Sequence, residues 1–215
     1  MTRPLSGTGR LADDLYLVAH HEITGKPHLQ PRALGLGLAG GLLGELMLPG
    51  TIRLSSGLVV LGNGTPPGEE LSRSVLHQIA GEREDLPARD WLLFLARTAP
   101  RDMAGRLAQA GYLTPAPGRR LSRSPRWVPA DPDCAFAPLV RVKAALNTRG
   151  PAARQPLLLG GLAAACGLGH QLSLYLPPGA GHHLDQAAWD LDPGLQELIA
   201  QTKAVVDSAL LAHRL

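Results

Sequence analysis

The sequence predicts a mainly α fold: a helical bundle around a central glycine-rich helix, with two small β-hairpins. Three observations carry this expectation. Of the 215 residues 45% are hydrophobic but only 4% aromatic, so leucine, alanine and valine must fill the core. Leucine and alanine favour helix over strand. Apolar positions also recur at helical spacing along much of the chain, and 25 glycines and 19 prolines supply frequent caps and turns between the helical stretches.

Taken in order, residues 11–21 read as a short amphipathic helix, with Leu11, Leu15, Val18 and Ala19 on one face. Gly25 and Pro27 mark a turn. Residues 32–48 are helical in pattern yet contain Gly35, Gly37, Gly40, Gly41 and Gly44. Each interior glycine costs about 0.5–1 kcal/mol relative to alanine, so this helix must be the buried centre, closely approached by its neighbours. After Gly50, residues 51–54 and 58–61 read as two strands around Ser55, Ser56 and Gly57. Residues 69–80 form a helix with Leu71, Val75, Leu76 and Ile79 on one face.

Two helices then follow over 89–97 and 101–110, the second opened by Pro100 and closed by Gly111. Residues 112–129 read as a second hairpin. Three more helices are expected over 135–147, 151–167 and 191–215, with a Pro/Gly loop over 175–183. Residues 1–10 are expected to be a flexible N-terminus and 11–215 a single domain, since no boundary or repeat stands out.

The formal net charge is +3, and of the 21 basic residues only Lys26, Lys143 and Lys203 are lysine. Arginine suits bidentate contacts to phosphate. No apolar stretch approaches the roughly 20 residues of a membrane span, and residues 1–10 do not read as a signal peptide. A soluble, cytoplasmic protein with at most peripheral membrane contact is therefore expected.

No catalytic constellation emerges. Cys134 and Cys166 form no CxxC and read as buried small hydrophobes. His20–His21 and His182–His183 lack the converging third and fourth ligands of a metal site. Ser55–Ser56–Gly57 is a turn, because G-x-S-x-G is absent. Gly35, Gly37 and Gly40 come near a dinucleotide fingerprint, but no strand precedes them, so helix packing is the reading. No metal and no cofactor are expected.

Several segments carry a family resemblance. Leu11, Leu15, Tyr16 and Leu17 followed by Glu22–Ile23–Thr24–Gly25 are similar to an opening helix and turn. The run from Gly37 through Glu45–Leu46–Met47–Leu48–Pro49–Gly50–Thr51–Ile52–Arg53–Leu54 matches a glycine-rich helix leading into E-L-x-L-x-G-x-(I/L)-x-L. Gly111–Tyr112–Leu113 and Arg126–Trp127–Val128–Pro129–Ala130–Asp131 follow in the same order. Together these resemble the Golgi phosphoprotein 3 family, in its compact bacterial branch, from Leu11 to the C-terminus. In eukaryotic members a shallow basic pocket binds the phosphate head of phosphatidylinositol 4-phosphate, using a Trp before the glycine-rich helix, an Arg within it, and two Arg on the later helix pair. The Trp position falls on Gln30 and the helix Arg on Ala39. The later positions fall on Arg97 and on or beside Pro100, with Arg101 next to it. Arg32 stands where it could replace part of the lost charge. The resemblance thus implies lipid head-group contact at Gln30, Arg32, Ala39, Arg97 and Arg101, with about half of the pocket's side chains absent.

Between residues 97 and 126 there are seven arginines (97, 101, 106, 119, 120, 123 and 126) against one acid, Asp102. Arg119, Arg120, Leu121, Arg123, Arg126 and Trp127 would make the membrane contact, since basic side chains favour an anionic surface and Trp favours the head-group level. The alternatives are a solvated arginine-rich loop with Trp127 in the core, or the wing of a winged-helix nucleic-acid binder. For the latter, Arg101, Arg106 and Gln109 would be the reading residues. The expected function is non-enzymatic binding of an anionic membrane surface or phosphorylated lipid head group as an adaptor, with no specific nucleic acid; a protein partner and homo-oligomerisation stay open.

Overall fold

The computed structural model describes residues 8–116, 126–147, 154–176 and 190–212. Its helices are α1 (Leu11–Val18), α2 (Pro31–Met47), α3 (Glu70–Gly81), α4 (Ala88–Leu95), α5 (Ala99–Gln109), α6 (Pro132–Leu146), α7 (Arg154–Ala165), α8 (Gly169–Tyr175) and α9 (Pro193–Leu211). Two antiparallel hairpins complete the described residues: β1 (Ile52–Ser55) with β2 (Leu58–Leu61), and β3 (Leu113–Pro115) with β4 (Trp127–Pro129). The register runs from Ile52 opposite Leu61 to Ser55 opposite Leu58, and from Leu113 opposite Pro129 to Pro115 opposite Trp127.

The mainly α architecture with small hairpins is as the composition predicts, and α2 is its axis. Every α2 residue from Ala33 to Met47 except Glu45 is buried, and α1, α4, α5, α7 and α9 all pack on it. A helix apolar all round has to be enclosed on all sides, and the glycines allow the enclosure. A Cβ at Gly35 would sit 2.6 Å from the carbonyl oxygen of Ala96, at the end of α4. One at Gly41 would lie 3.1 Å from Cα of Ala12, and one at Gly44 would meet Leu11, Leu158 and Leu198.

Two details differ from the sequence reading. Residues 11–21 do not form an amphipathic helix with a wet face: α1 stops at Val18, and all eight of its residues are buried, including Asp13 and Asp14. Neither acid reaches water, because arginines from other elements meet both. In addition, residues 169–175 form the short helix α8, which the proline and glycine content of the following loop obscures. The expectation for 175–183 falls on residues 177–183, outside the described set, as does most of the flexible-terminus expectation, on residues 1–7.

Capping is local and legible. The Glu69 side chain accepts from the N–H groups of Leu71 and Ser72 at the start of α3, Asp131 from Asp133 at the start of α6, and Asp192 from Leu195 at the start of α9. Gly111 follows α5 with φ +72°, the left-handed cap that closes the helix. No helix among the described residues is long and apolar enough to cross a membrane.

The glycine packing predicts opposite outcomes for the same substitution. Gly35→Ala should destabilise the fold by about 1–3 kcal/mol, because it pushes on rigid backbone. Gly105→Ala in α5, where a Cβ would meet nothing within 4 Å, should stabilise by about 0.4–1 kcal/mol. Denaturant midpoints of the two variants check this; equal shifts would deny that α2 is enclosed as described.

Candidate functional site

The predicted head-group residues gather at one corner. Gln30 is the N-cap of α2, with Pro31 in its first turn. Thr98 is the N-cap of α5, with Pro100 in its first turn. Gly35, one turn into α2, lies against Ala96, so the start of α2, the end of α4 and the start of α5 converge. Gln30, Arg32, Arg97 and Arg101 are all exposed there. Arg101 is 81% exposed, with its Nε 3.1 Å from Oδ1 of Asp102. Helix N-termini present free N–H groups and the positive end of the macrodipole. Ala39 does not join them. It is fully buried in the middle of α2, so it offers no surface to a ligand, and the position reads as core.

The predicted basic segment divides. Arg119, Arg120, Leu121 and Arg123 lie outside the described residues. Arg126 donates from Nη2 to the carbonyl oxygen of Thr24 at 2.6 Å, which ties the second hairpin to the 21–25 turn. Trp127 is half-buried against the core, and Gly25, at φ +60°, leaves no room for a Cβ beside its carbonyl. The tip of that turn carries Ile23, which is 66% exposed. It is a candidate surface contact that sequence reading missed; the signal was an isolated isoleucine in an otherwise polar turn. The hairpin and the corner stand at opposite ends of α5, about 16 Å apart at 1.5 Å per residue.

Arg106 is a correction. It was expected in the exposed basic run and among the reading residues of a winged helix, but it is buried. Its Nε donates to Oδ1 of Asp13 at 2.7 Å, its Nη1 to Oε1 of Glu45 at 3.0 Å and Oε2 of Glu69 at 2.8 Å, and its Nη2 to Oε2 of Glu45 at 3.2 Å. Ser72 Oγ donates to Oε1 of Glu45 at 2.7 Å. Four elements are thereby joined: α5 through Arg106, α1 through Asp13, α2 through Glu45, and the start of α3 through Glu69 and Ser72. The result is to fix α5, and with it Arg97 and Arg101, against α2. A sequence signal existed, since Glu45 is the one charge inside the apolar 33–48 run and a buried charge needs a partner.

Three carboxylates share this guanidinium, and Asp13 and Glu69 among them shift in opposite directions. Burial pushes the Asp13 carboxyl up, with Arg106 opposing and Glu45 adding to the rise. Burial also raises Glu69, but the N–H groups of Leu71 and Ser72 together with Arg106 more than reverse it, holding it at about 2. On the other face of α1, Asp14 meets Arg141 at 2.6 Å and Gln155 at 3.5 Å, while its Oδ1 has no partner among the described residues. Burial outweighs Arg141 there and lifts Asp14 to about 6.

No group of three or more His, Cys, Asp or Glu able to hold a metal occurs among the described residues. Cys134 and Cys166 are both buried, and burial pushes the Cys166 thiol up to about 12, which leaves it protonated and a poor nucleophile at neutral pH.

A family model described as Golgi phosphoprotein 3 (GPP34) matches residues 11–207. The chain belongs to the Golgi phosphoprotein 3 family. That family is in general linked to phosphoinositide and membrane interaction. No individual curated protein matches the chain.

Removing one partner of the buried cluster should be severe. Arg106→Met leaves carboxylates buried without a cation and should cost about 3–5 kcal/mol. The pH dependence follows from Glu69. Its folded value lies below the ordinary 4.5, so its contribution is fully present above about 4.5 and is lost as pH falls toward about 2. Urea midpoints against pH should show that acid limb, and Glu69→Gln should flatten it. An unchanged limb in the variant would remove Glu69 as its source.

Proposed function

We propose that the chain is a non-enzymatic peripheral membrane adaptor that grips an anionic lipid head group at the corner between α2 and α5. The observation that carries this reading is the approach of the α4–α5 turn to the first turns of α2, with exposed guanidinium groups on both. Arg32 and Arg97 make no side-chain hydrogen bond or ion pair among the described residues, and Arg101 is held by its neighbour Asp102 alone. Guanidinium forks match a phosphate bidentately, and the family's general link to phosphoinositides and membranes supports the same surface.

The reading is of anionic surfaces in general. Gln30 has no ring to lay against a head group, and Ala39 lies in the core, so two of the four family contacts cannot form a selective pocket. Ile23 and the half-buried Trp127 on the second hairpin provide an apolar contact at the far end of α5. The winged-helix alternative loses support, because Arg106 is committed to three internal carboxylates and leaves Arg101 and Gln109 as its reading residues.

Vesicle co-sedimentation at roughly 0.15 M salt tests the proposal. Wild type should bind phosphatidylcholine vesicles containing phosphatidylserine or phosphatidylinositol 4-phosphate with little preference between them. Each basic side chain near such a surface contributes about 1 kcal/mol, so Arg97→Ala with Arg101→Ala should weaken binding by about tenfold or more. Wild type that ignores anionic vesicles, or a double variant that binds as well as wild type, would overturn the assignment.

A further inference from the structure

At the other end of α2, about 25 Å from the corner at 1.5 Å per residue, lies a cleft of about 640 Å³. Its walls come from the end of α2, the first hairpin and the starts of α7 and α9. Leu48 and Pro49, half-buried and exposed respectively, give it apolar area. Arg53, Arg154 and Asp192 supply the charges. A volume of this size suits a small molecule.

The charges in the cleft are unequally committed. β1 alternates in the usual way, with Ile52 and Leu54 buried and Arg53 turned outward. Asp192 is taken twice, by Nη2 of Arg154 and by the N–H of Leu195 at 3.1 Å. The carbonyls at the end of α2 are also occupied: Gly44 by the N–H of Leu48, Leu46 by that of Thr51, and Met47 by that of Gly50. Asp192, the carboxylate lining this cleft, is therefore internally partnered. The Arg53 side chain makes no hydrogen bond or ion pair among the described residues. Arg154 is held in place by Asp192 through one nitrogen, leaving the rest of its fork for another acceptor.

We propose that this cleft is a second binding site, separate from the α2–α5 corner, for a small amphipathic oxyanion: a phosphate monoester or carboxylate carried on a short apolar body. Arg53 supplies the uncommitted charge, Arg154 a pre-oriented second donor set, and Leu48 and Pro49 the apolar contact. The same chemistry could come from a soluble metabolite or from the head of a lipid.

Isothermal titration with hexyl phosphate and with hexanoate tests the site on the full chain. Wild type should bind at least one of them saturably. Arg53→Ala, on an exposed strand position, should weaken binding about tenfold, and Arg53→Lys should recover part of it by restoring charge without the fork. Arg97→Ala with Arg101→Ala should bind these probes as wild type does. Vesicles of phosphatidylcholine with phosphatidic acid separate the two sources: if Arg53→Ala also loses vesicle binding in the double-variant background, the ligand is lipid-borne, and if not, it is soluble. Wild type without saturable binding of either probe, Arg53→Ala as tight as wild type, or loss of binding in the corner variant alone would each overturn the proposal. A wild type that ignores anionic vesicles but binds hexyl phosphate through Arg53 would sink the corner reading and leave this one standing.

Discussion

The buried guanidinium of Arg106 is the interaction on which the rest of the arrangement depends. One cation facing three carboxylates from different elements sets where α1, α2, α3 and α5 lie relative to one another. Such a cluster adds little net stability over a well-packed apolar substitute, since desolvation offsets much of the attraction. What it supplies here is position. Hydrophobic contact between helices tolerates sliding, whereas a fork bonded to Asp13, Glu45 and Glu69 does not. The exposed arginines at the start of α5 inherit that fixed geometry, so the interior cluster and the surface corner are two ends of one device.

The second constraint is steric. α2 has close neighbours along its length because its side chains are small where helices or chain turns approach, and the approach of Ala96 to Gly35 brings the α4–α5 turn to the start of α2. With α2 as the axis, both candidate ligand sites sit at its ends: the corner where its N–H groups begin and the cleft where its carbonyls finish. The two ends differ electrostatically. At the start the guanidinium groups of Arg32 and Arg97 face solvent; at the finish the carbonyls are capped by Leu48, Gly50 and Thr51, which leaves side-chain charge to decide what can bind.

Much of this was legible in the sequence. The spacing of apolar residues and the placing of Pro100, Gly50 and Gly111 marked most helices and both hairpins to within a few residues, because these are local signals. The enclosure of α2 was legible from its glycines, since their cost demands compensation. What stayed hidden was long-range pairing. Asp13 and Asp14 look like the wet face of an amphipathic helix until Arg106 and Arg141 are known to meet them, and Arg106 looks like a member of a basic surface run for the same reason. At the candidate site, Arg97 lies in the α4–α5 turn and Arg101 in the first turn of α5, whereas Ala39 took its place from its match to a family position and is core. Ile23 was passed over because exposure at a turn tip is not a periodic signal.

The double pairing of α1 has a consequence for how the chain comes to be folded. Asp13 and its partner Arg106 are separated by 93 positions, and Asp14 waits for Arg141, further on still. During synthesis the first helix emerges with two carboxylates whose cations have not yet been made. Its burial between α2, α5, α6 and α7 cannot be completed until α7 has left the ribosome. Contacts of such long sequence separation slow folding and lengthen the exposure of apolar surface. The N-terminal helix, though first in the chain, is thus among the last pieces to be locked, and a nascent chain stalled before residue 141 would leave Asp14 without its cation and the α6- and α7-facing sides of α1 uncovered.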